Sequence, residues 1–213
     1  VLFERGEYIS FGNCGLPYYI GGVIRDRNRL LLQTALGMSK RFNIEIRTLT
    51  EVTAIHRDRK TVTAKNLRTG ETYEESYDKL ILSPGARPIM PPIEGLDQAK
   101  RLFTLRTIPD ADRIKAYVEE EKPTSAAVIG GGFIGLEMAE NLAERGLKVS
   151  LVEMADQVLP PLDYEMAAMV HSYLKESGIQ LYLKDGLKAL EKEGRLLRLQ
   201  SGKTLEADMI ILA

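Results

Sequence analysis

Short apolar runs punctuated by glycine and proline set the rhythm of this chain. Residues 126–129, 148–153 and 208–213 each hold a block of aliphatic side chains, and each reads as a buried strand. Residues 79–82 carry the same pattern and predict another, leading into Ser83, Pro84, Gly85, Ala86, Arg87 and Pro88. Helical spacing appears instead at Leu30, Leu31, Ala35 and Met38, which predicts a helix over residues 26–40. It appears again at Ala139, Leu142 and Ala143, before Gly146 breaks the pattern, and a further helix is expected over residues 110–121. Residues 44–47 read as a short strand. Residues 51–65 and 65–77 resemble a meander of two or three strands with Thr69 and Gly70 at a turn. The proline-rich residues 88–92 read as a crossover or linker. Residues 180–213 alternate like a second strand cluster, with turns at Asp185 and Gly186, Glu193 and Gly194, and Ser201 and Gly202.

Strand, glycine turn, helix and strand in succession make this an α/β chain. Val1, Leu2, Phe3 and Glu4 repeat the strand-to-acid ending of residues 149–153, without a glycine turn and helix before them. The expectation is therefore two Rossmann-like dinucleotide-binding folds in tandem, three-layered, the first incomplete, with an antiparallel meander. The apolar run at residues 208–213 stops without a turn, so further chain is expected there as well.

Among 213 residues, 44% hydrophobic content suffices for a globular core, and a net charge of −1 gives no reason to expect nucleic acid or an anionic membrane as partner. No apolar run reaches the roughly 18 residues needed to cross a bilayer. A single cysteine excludes an internal disulfide framework and a cysteine zinc site, so no metal is expected, and it suits a reducing cytoplasm. His56 and His171 read as surface or packing residues. Lys40 and Arg41, with Arg57, Asp58, Arg59 and Lys60, read as a solvated face.

The chemistry concentrates in two places. Gly130, Gly132 and Gly135 follow a strand and open a helix, in the order a dinucleotide site requires. Gly130 makes the tight turn, Gly132 admits the pyrophosphate to the helix N-terminus, and Gly135 lets helix and strand pack closely. Glu153, at the tip of the next strand, is the expected acceptor for both hydroxyls of an adenine ribose. That favours NADH over NADPH, because a carboxylate repels a 2′-phosphate, unless Arg or Lys side chains from elsewhere offset it. Glu137 is either placed to reach the nicotinamide end or is a solvated helix acid.

The second place is residues 10–19 (Ser-Phe-Gly-Asn-Cys-Gly-Leu-Pro-Tyr-Tyr). Cys14, bracketed by Gly12 and Gly15 rather than by apolar residues, sits in a polar turn where a helix is expected to begin. Free N–H groups there favour a thiolate, and Ser10 and Asn13 supply hydrogen-bond donors. Tyr18 and Tyr19 read as helix packing at least as well as site residues.

Together these residues resemble the pyridine nucleotide-disulfide oxidoreductases. Residues 10–19 are similar to the active-site segment of coenzyme A-disulfide reductases, including the bacterial form fused to a rhodanese domain. The resemblance implies a homodimeric flavoprotein. Residues 1–122 would be part of its FAD-binding domain, and residues 123–213 an NAD(P)H-binding domain truncated at its C-terminal end. It implies Cys14 as redox nucleophile, and Ser10 and Asn13 lining the site for a coenzyme A disulfide or persulfide. Glu4 and Gly85 would contact FAD. Gly130, Gly132, Ile134, Gly135, Glu137 and Glu153 would hold the nicotinamide nucleotide, with Phe133 as the aromatic that shields the flavin. An alternative on the same scaffold is an NADH oxidase or peroxidase in which Cys14 cycles through a sulfenic acid. A third is a nucleotide-binding fragment without turnover.

Overall fold

The computed structural model describes residues 1–213. They divide into two compact units, one of Val1–Gly12 and Arg27–Ala86, the other of Asn13–Asp26 and Arg87–Ala213. The expected boundary at residue 122 is thus displaced. Residues 87–121 and the cysteine segment pack with the second unit, because their strand and helices complete its sheet and cover.

In the first unit, β1 (Leu2–Phe3) pairs in parallel with β4 (Ile46–Arg47), and β2 (Ser10–Phe11) pairs antiparallel with β3 (Leu31–Gln33). The meander is three antiparallel strands, β5 (Thr50–His56), β6 (Thr61–Asn66) and β7 (Thr72–Ser76), with a turn at Gly70. The side chain of Arg47 ties the unit together. It donates to Glu45, Glu75 and Tyr73 and lies over the rings of Phe3 and Tyr73.

Two expectations fail here. The helix predicted over residues 26–40 is a 3-10 turn, Arg27–Leu30, then β3, then α2 (Ala35–Phe42). The pairing of β3 with β2 takes the middle of the segment. Thr34 then starts a fresh helix by accepting from Gly37 N at 3.0 Å. Residues 79–82 form no strand, and Ile81 is 88% exposed, because no other strand of the chain lies beside them.

The second unit is built on a five-stranded, all-parallel sheet in the order β11-β10-β9-β15-β8. Its strands are β8 (Leu102–Phe103), β9 (Ser125–Ile129), β10 (Lys148–Glu153), β11 (Gln180–Leu183) and β15 (Met209–Leu212). Sheets of this kind are covered on both faces, which is why their strands read as unbroken aliphatic runs. The helices are α1 (Leu16–Gly21), α3 (Ile108–Glu120), α4 (Phe133–Glu144) and α5 (Tyr164–Glu176). Helix α3 begins two residues earlier than expected, where Thr107 and Asp110 form a capping box.

The expected second strand cluster divides between two sheets. Strands β11 and β15 join the parallel sheet, while β12 (Leu187–Glu191), β13 (Leu196–Leu199) and β14 (Thr204–Glu206) form an antiparallel sheet. Leu187, Leu190, Leu197 and Leu199 of that sheet pack on Ala127, Val152 and Ile210. At the sheet's other end, the Asp208 carboxylate accepts from the backbone and hydroxyls of Thr124 and Ser125, fixing β15 beside β9. No helix is long and apolar enough to cross a membrane.

Candidate nucleotide and thiol site

Strand order reverses between β9 and β15, and such a switch point opens a crevice at the carboxyl ends of the strands. The three glycines surround it, each for a different reason. Gly130 has φ +113°, and a Cβ there would stand 2.5 Å from the Ala213 carbonyl oxygen. Gly132 precedes α4 and faces open space, so its backbone is free to be approached. At Gly135 a Cβ would collide with the Gly130 carbonyl, so α4 rests directly on the turn. Phe133 and Ile134 are exposed on the first turn of α4.

Glu153 ends β10 with its carboxylate pulled onto the glycine turn. It accepts from Gly131 N at 2.6 Å and from Ala155 N at 2.7 Å. Beyond it opens a cleft of about 480 Å³, lined by Gly130, Glu153, Met154, Pro92, Ile93 and Lys188 among others. That volume suits one half of a dinucleotide. The opposite wall is tied to the acid, since Asp185 N donates to Glu153 O at 3.1 Å and Lys184 N to Ala155 O at 2.8 Å. Burial alone would push the Asp185 carboxyl up. Hydrogen bonds from the Ser201 hydroxyl and amide and from Gly186 N outweigh it and leave the group below the ordinary carboxylate range. The wall is therefore held by an ionised, fully bonded carboxylate.

Cys14 lies exposed in the 3-10 turn Asn13–Gly15, directly before α1. Leu16, Tyr19 and Ile20 bury the inner face of that six-residue helix against α3 and α4. Gly21 lets it approach closely, since a Cβ there would strike the Asn141 side chain. The Tyr19 hydroxyl donates to Asp112 Oδ1 at 3.2 Å. Tyr18 is half-buried, and its phenol is raised first by the nearby Glu137, then by burial and by Glu140. Glu137 itself is raised by burial and then by Glu140.

The structure thus puts Gly130 and Glu153 in the lining of one cleft, with Gly132, Phe133, Ile134 and Gly135 on the turn and first turn of α4 that follow Gly130. It packs the cysteine helix against the helix that carries Glu137. Of the other expected residues, Ser10, Glu4 and Gly85 belong to the first unit and Asn13 to the second. Ser10 is half-buried on β2 of the first unit, and Asn13 is exposed beside Cys14. Glu4 follows β1 and accepts from Gly6 N at 2.6 Å. Gly85, at φ +70°, sits in the exposed extended stretch of residues 78–90 with no atom within 4 Å of a Cβ built on it. A nicotinamide nucleotide fits the second unit. The first unit offers FAD only an acid at a strand end, with no glycine turn and helix to take its pyrophosphate. Sequence reading passed over Met154, Lys188 and the wall at Pro92 and Ile93. Gly130 and Glu153 were expected in the cleft, whereas Asp185 and Gly186 were expected only as a turn.

The family model for pyridine nucleotide-disulphide oxidoreductases matches residues 1–213. The chain is 38% identical over 211 residues to a Staphylococcus aureus coenzyme A disulfide reductase, covering 99% of this chain and 47% of that protein. It superposes on reduced Bacillus anthracis CoADR-RHD with TM-score 0.97 and 62% identity, over 99% of this chain and 38% of that one. An engineered water-forming NADPH oxidase, made from the Lactobacillus brevis NADH oxidase and bound to NADPH, matches at TM-score 0.91 and 27% identity, over 99% of this chain and 46% of that one. The chain spans about half the length of the curated relatives it matches. With the family model covering every residue, this chain belongs to the pyridine nucleotide-disulphide oxidoreductases.

Proposed function

We propose that the chain is the nucleotide-binding and thiol-bearing part of an NAD(P)H-dependent flavoprotein reductase that acts as a homodimer on a coenzyme A disulfide or persulfide. The observation that carries this reading is an exposed lone Cys14 in the turn directly before α1, a helix packed against α4, which the glycine turn opens. In this reading the α4 N-terminus and Gly132 receive the pyrophosphate, Glu153 accepts from the ribose hydroxyls, and Glu137 and Phe133 lie toward the nicotinamide end. Glu4 and Gly85 would contact FAD, which would supply two-electron transfer between the nicotinamide and sulfur. The Cys14 thiolate attacks the disulfide RSSR, forming a mixed disulfide and expelling RS⁻. Two electrons and one proton then break that bond, releasing RSH and restoring the thiolate. Ser10 and Asn13 orient the thiol carrier. A second protein sulfur is not needed, because the substrate supplies it.

The likeness to the engineered oxidase supports NADH as the preferred donor. Its substitutions fall at a glycine, at an aspartate eighteen residues beyond, at the two residues after that, and at a proline seven beyond the aspartate. Gly135, Glu153, Met154, Ala155 and Pro160 stand at the same spacings in this chain, which retains the acid and lacks the introduced arginines. The same relative supports a second reading, oxygen reduction through a Cys14 sulfenic acid.

The intact mass of the protein isolated without reductant separates the two. A coenzyme A-sized adduct that disappears on reduction and in Cys14→Ser is the expected result. One or two added oxygens on Cys14, with no thiol adduct, would overturn the reductase reading in favour of the oxidase.

A further inference from the structure

Strand β12 pairs antiparallel with β13, but the register slips between Leu187 and Ala189. Lys188 is therefore the extra residue of a bulge, exposed between two buried neighbours. Bulges re-aim side chains, and they gather beside binding sites. This one turns Lys188 into the lining of the cleft that also holds Glu153 and Met154. The position is rigid on both sides. The loop before it is bonded to the end of β10 through Asp185 N and Lys184 N, and the buried Asp185 carboxylate clamps it to Ser201. No ion pair involves Lys188, so its ammonium is available to a ligand.

We propose that Lys188 is a second specificity residue of the nucleotide cleft, facing the 2′ side of the adenosine ribose and admitting the 2′-phosphate of NADPH beside Glu153. This rests on the reading of the crevice as a dinucleotide site. Glu153 alone would repel a dianionic phosphate. An ammonium lining the same cleft offsets that repulsion without touching the hydrogen bonds Glu153 makes to the ribose of NADH. The result is a site that takes both donors, with the acid setting the preference and the lysine limiting it.

ADP-ribose and 2′-phospho-ADP-ribose test this without hydride transfer, by calorimetric titration of the flavin-loaded protein. Lys188→Gln is expected to weaken the 2′-phosphorylated ligand about tenfold, leave ADP-ribose within about twofold, and lose its effect as salt is raised. Lys188→Arg should retain both affinities, and Lys192→Gln, a lysine outside the cleft, should leave the ratio where it was. An unchanged ratio in Lys188→Gln would overturn the inference while leaving the nucleotide site intact. Failure of both ligands to bind the unaltered protein would instead remove the dinucleotide reading itself, and failure of the 2′-phosphorylated ligand alone would overturn the inference.

Discussion

Residues 79–82 and 208–212 are nearly the same peptide in pattern, a charged residue followed by aliphatics, and they meet opposite fates. Ile210 and Ile211 are fully buried in β15, whereas Ile81 and Leu82 are 88% and 67% exposed. Strand β15 lies between β9 and β8, with a ladder on each side. The earlier segment has no strand of this chain to pair with. Aliphatic runs therefore specify a readiness to be buried, and the neighbours decide whether a strand forms. The functional consequence lies at the end of β15. The Ala213 carbonyl is the wall against which the Gly130 turn is fitted, so pairing in the sheet builds the crevice.

The sharpest way to break this contrast is to truncate both segments. Ile210→Ala should cost about 2–5 kcal/mol in urea unfolding, as cavity-forming changes in a closed core do. Ile81→Ala should stay within about 0.5 kcal/mol. Equal losses would mean that residues 79–82 are covered in solution. One step smaller, the glycines divide the same way between buried fit and open space. Gly130→Ala forces a side chain into the left-handed region and against Ala213, costing about 1–3 kcal/mol of stability. Gly132→Ala meets nothing in the protein and should fold normally, while its new methyl stands where the pyrophosphate approaches and weakens ADP-ribose about tenfold. Normal ADP-ribose affinity in Gly132→Ala would place the pyrophosphate elsewhere.

What was legible in the chain was whatever is encoded over short spans. Gly130, Gly132, Gly135 and Glu153 announce a strand, turn, helix and acid within 24 residues, and Gly130 and Gly135 each stand where a side chain would strike backbone. The meander was legible for the same cause, since alternation and a turn are local. Features set by distant partners were not. The helical spacing of Leu30, Leu31, Ala35 and Met38 is real, but pairing with Ser10 and Phe11 and the Thr34 cap interrupt it. Residues 87–121 gave no sign that they belong with the later sheet, because contacts with distant residues put them there, among them the pairing of β8 with β15, the bridge of Glu94 to Ala189 and the bond from Tyr117 to the Asp208 carbonyl. The bulge at Lys188 is a slip between two strands and leaves no trace in composition.

The gentlest test of the same lesson is His171, which sequence reading placed with His56 as a surface or packing residue. Its neighbours make it distinctive. It lies buried on α5 and accepts at Nε2 from Val158 N at 3.1 Å, so the ring is neutral. Burial first, and then Lys175, hold its pKa below the usual imidazole value. In the unfolded chain the ring takes a proton below about pH 6.5, while the folded ring does so only at lower pH. The unfolded state therefore binds more protons in that window, and stability should be full above it and fall as pH is lowered through it. His171→Gln keeps an acceptor for Val158 and removes the titration. Urea midpoints between pH 5 and 7.5 should then lose part of their downward slope, whereas an unchanged slope would assign the acid sensitivity to the chain's carboxylates instead.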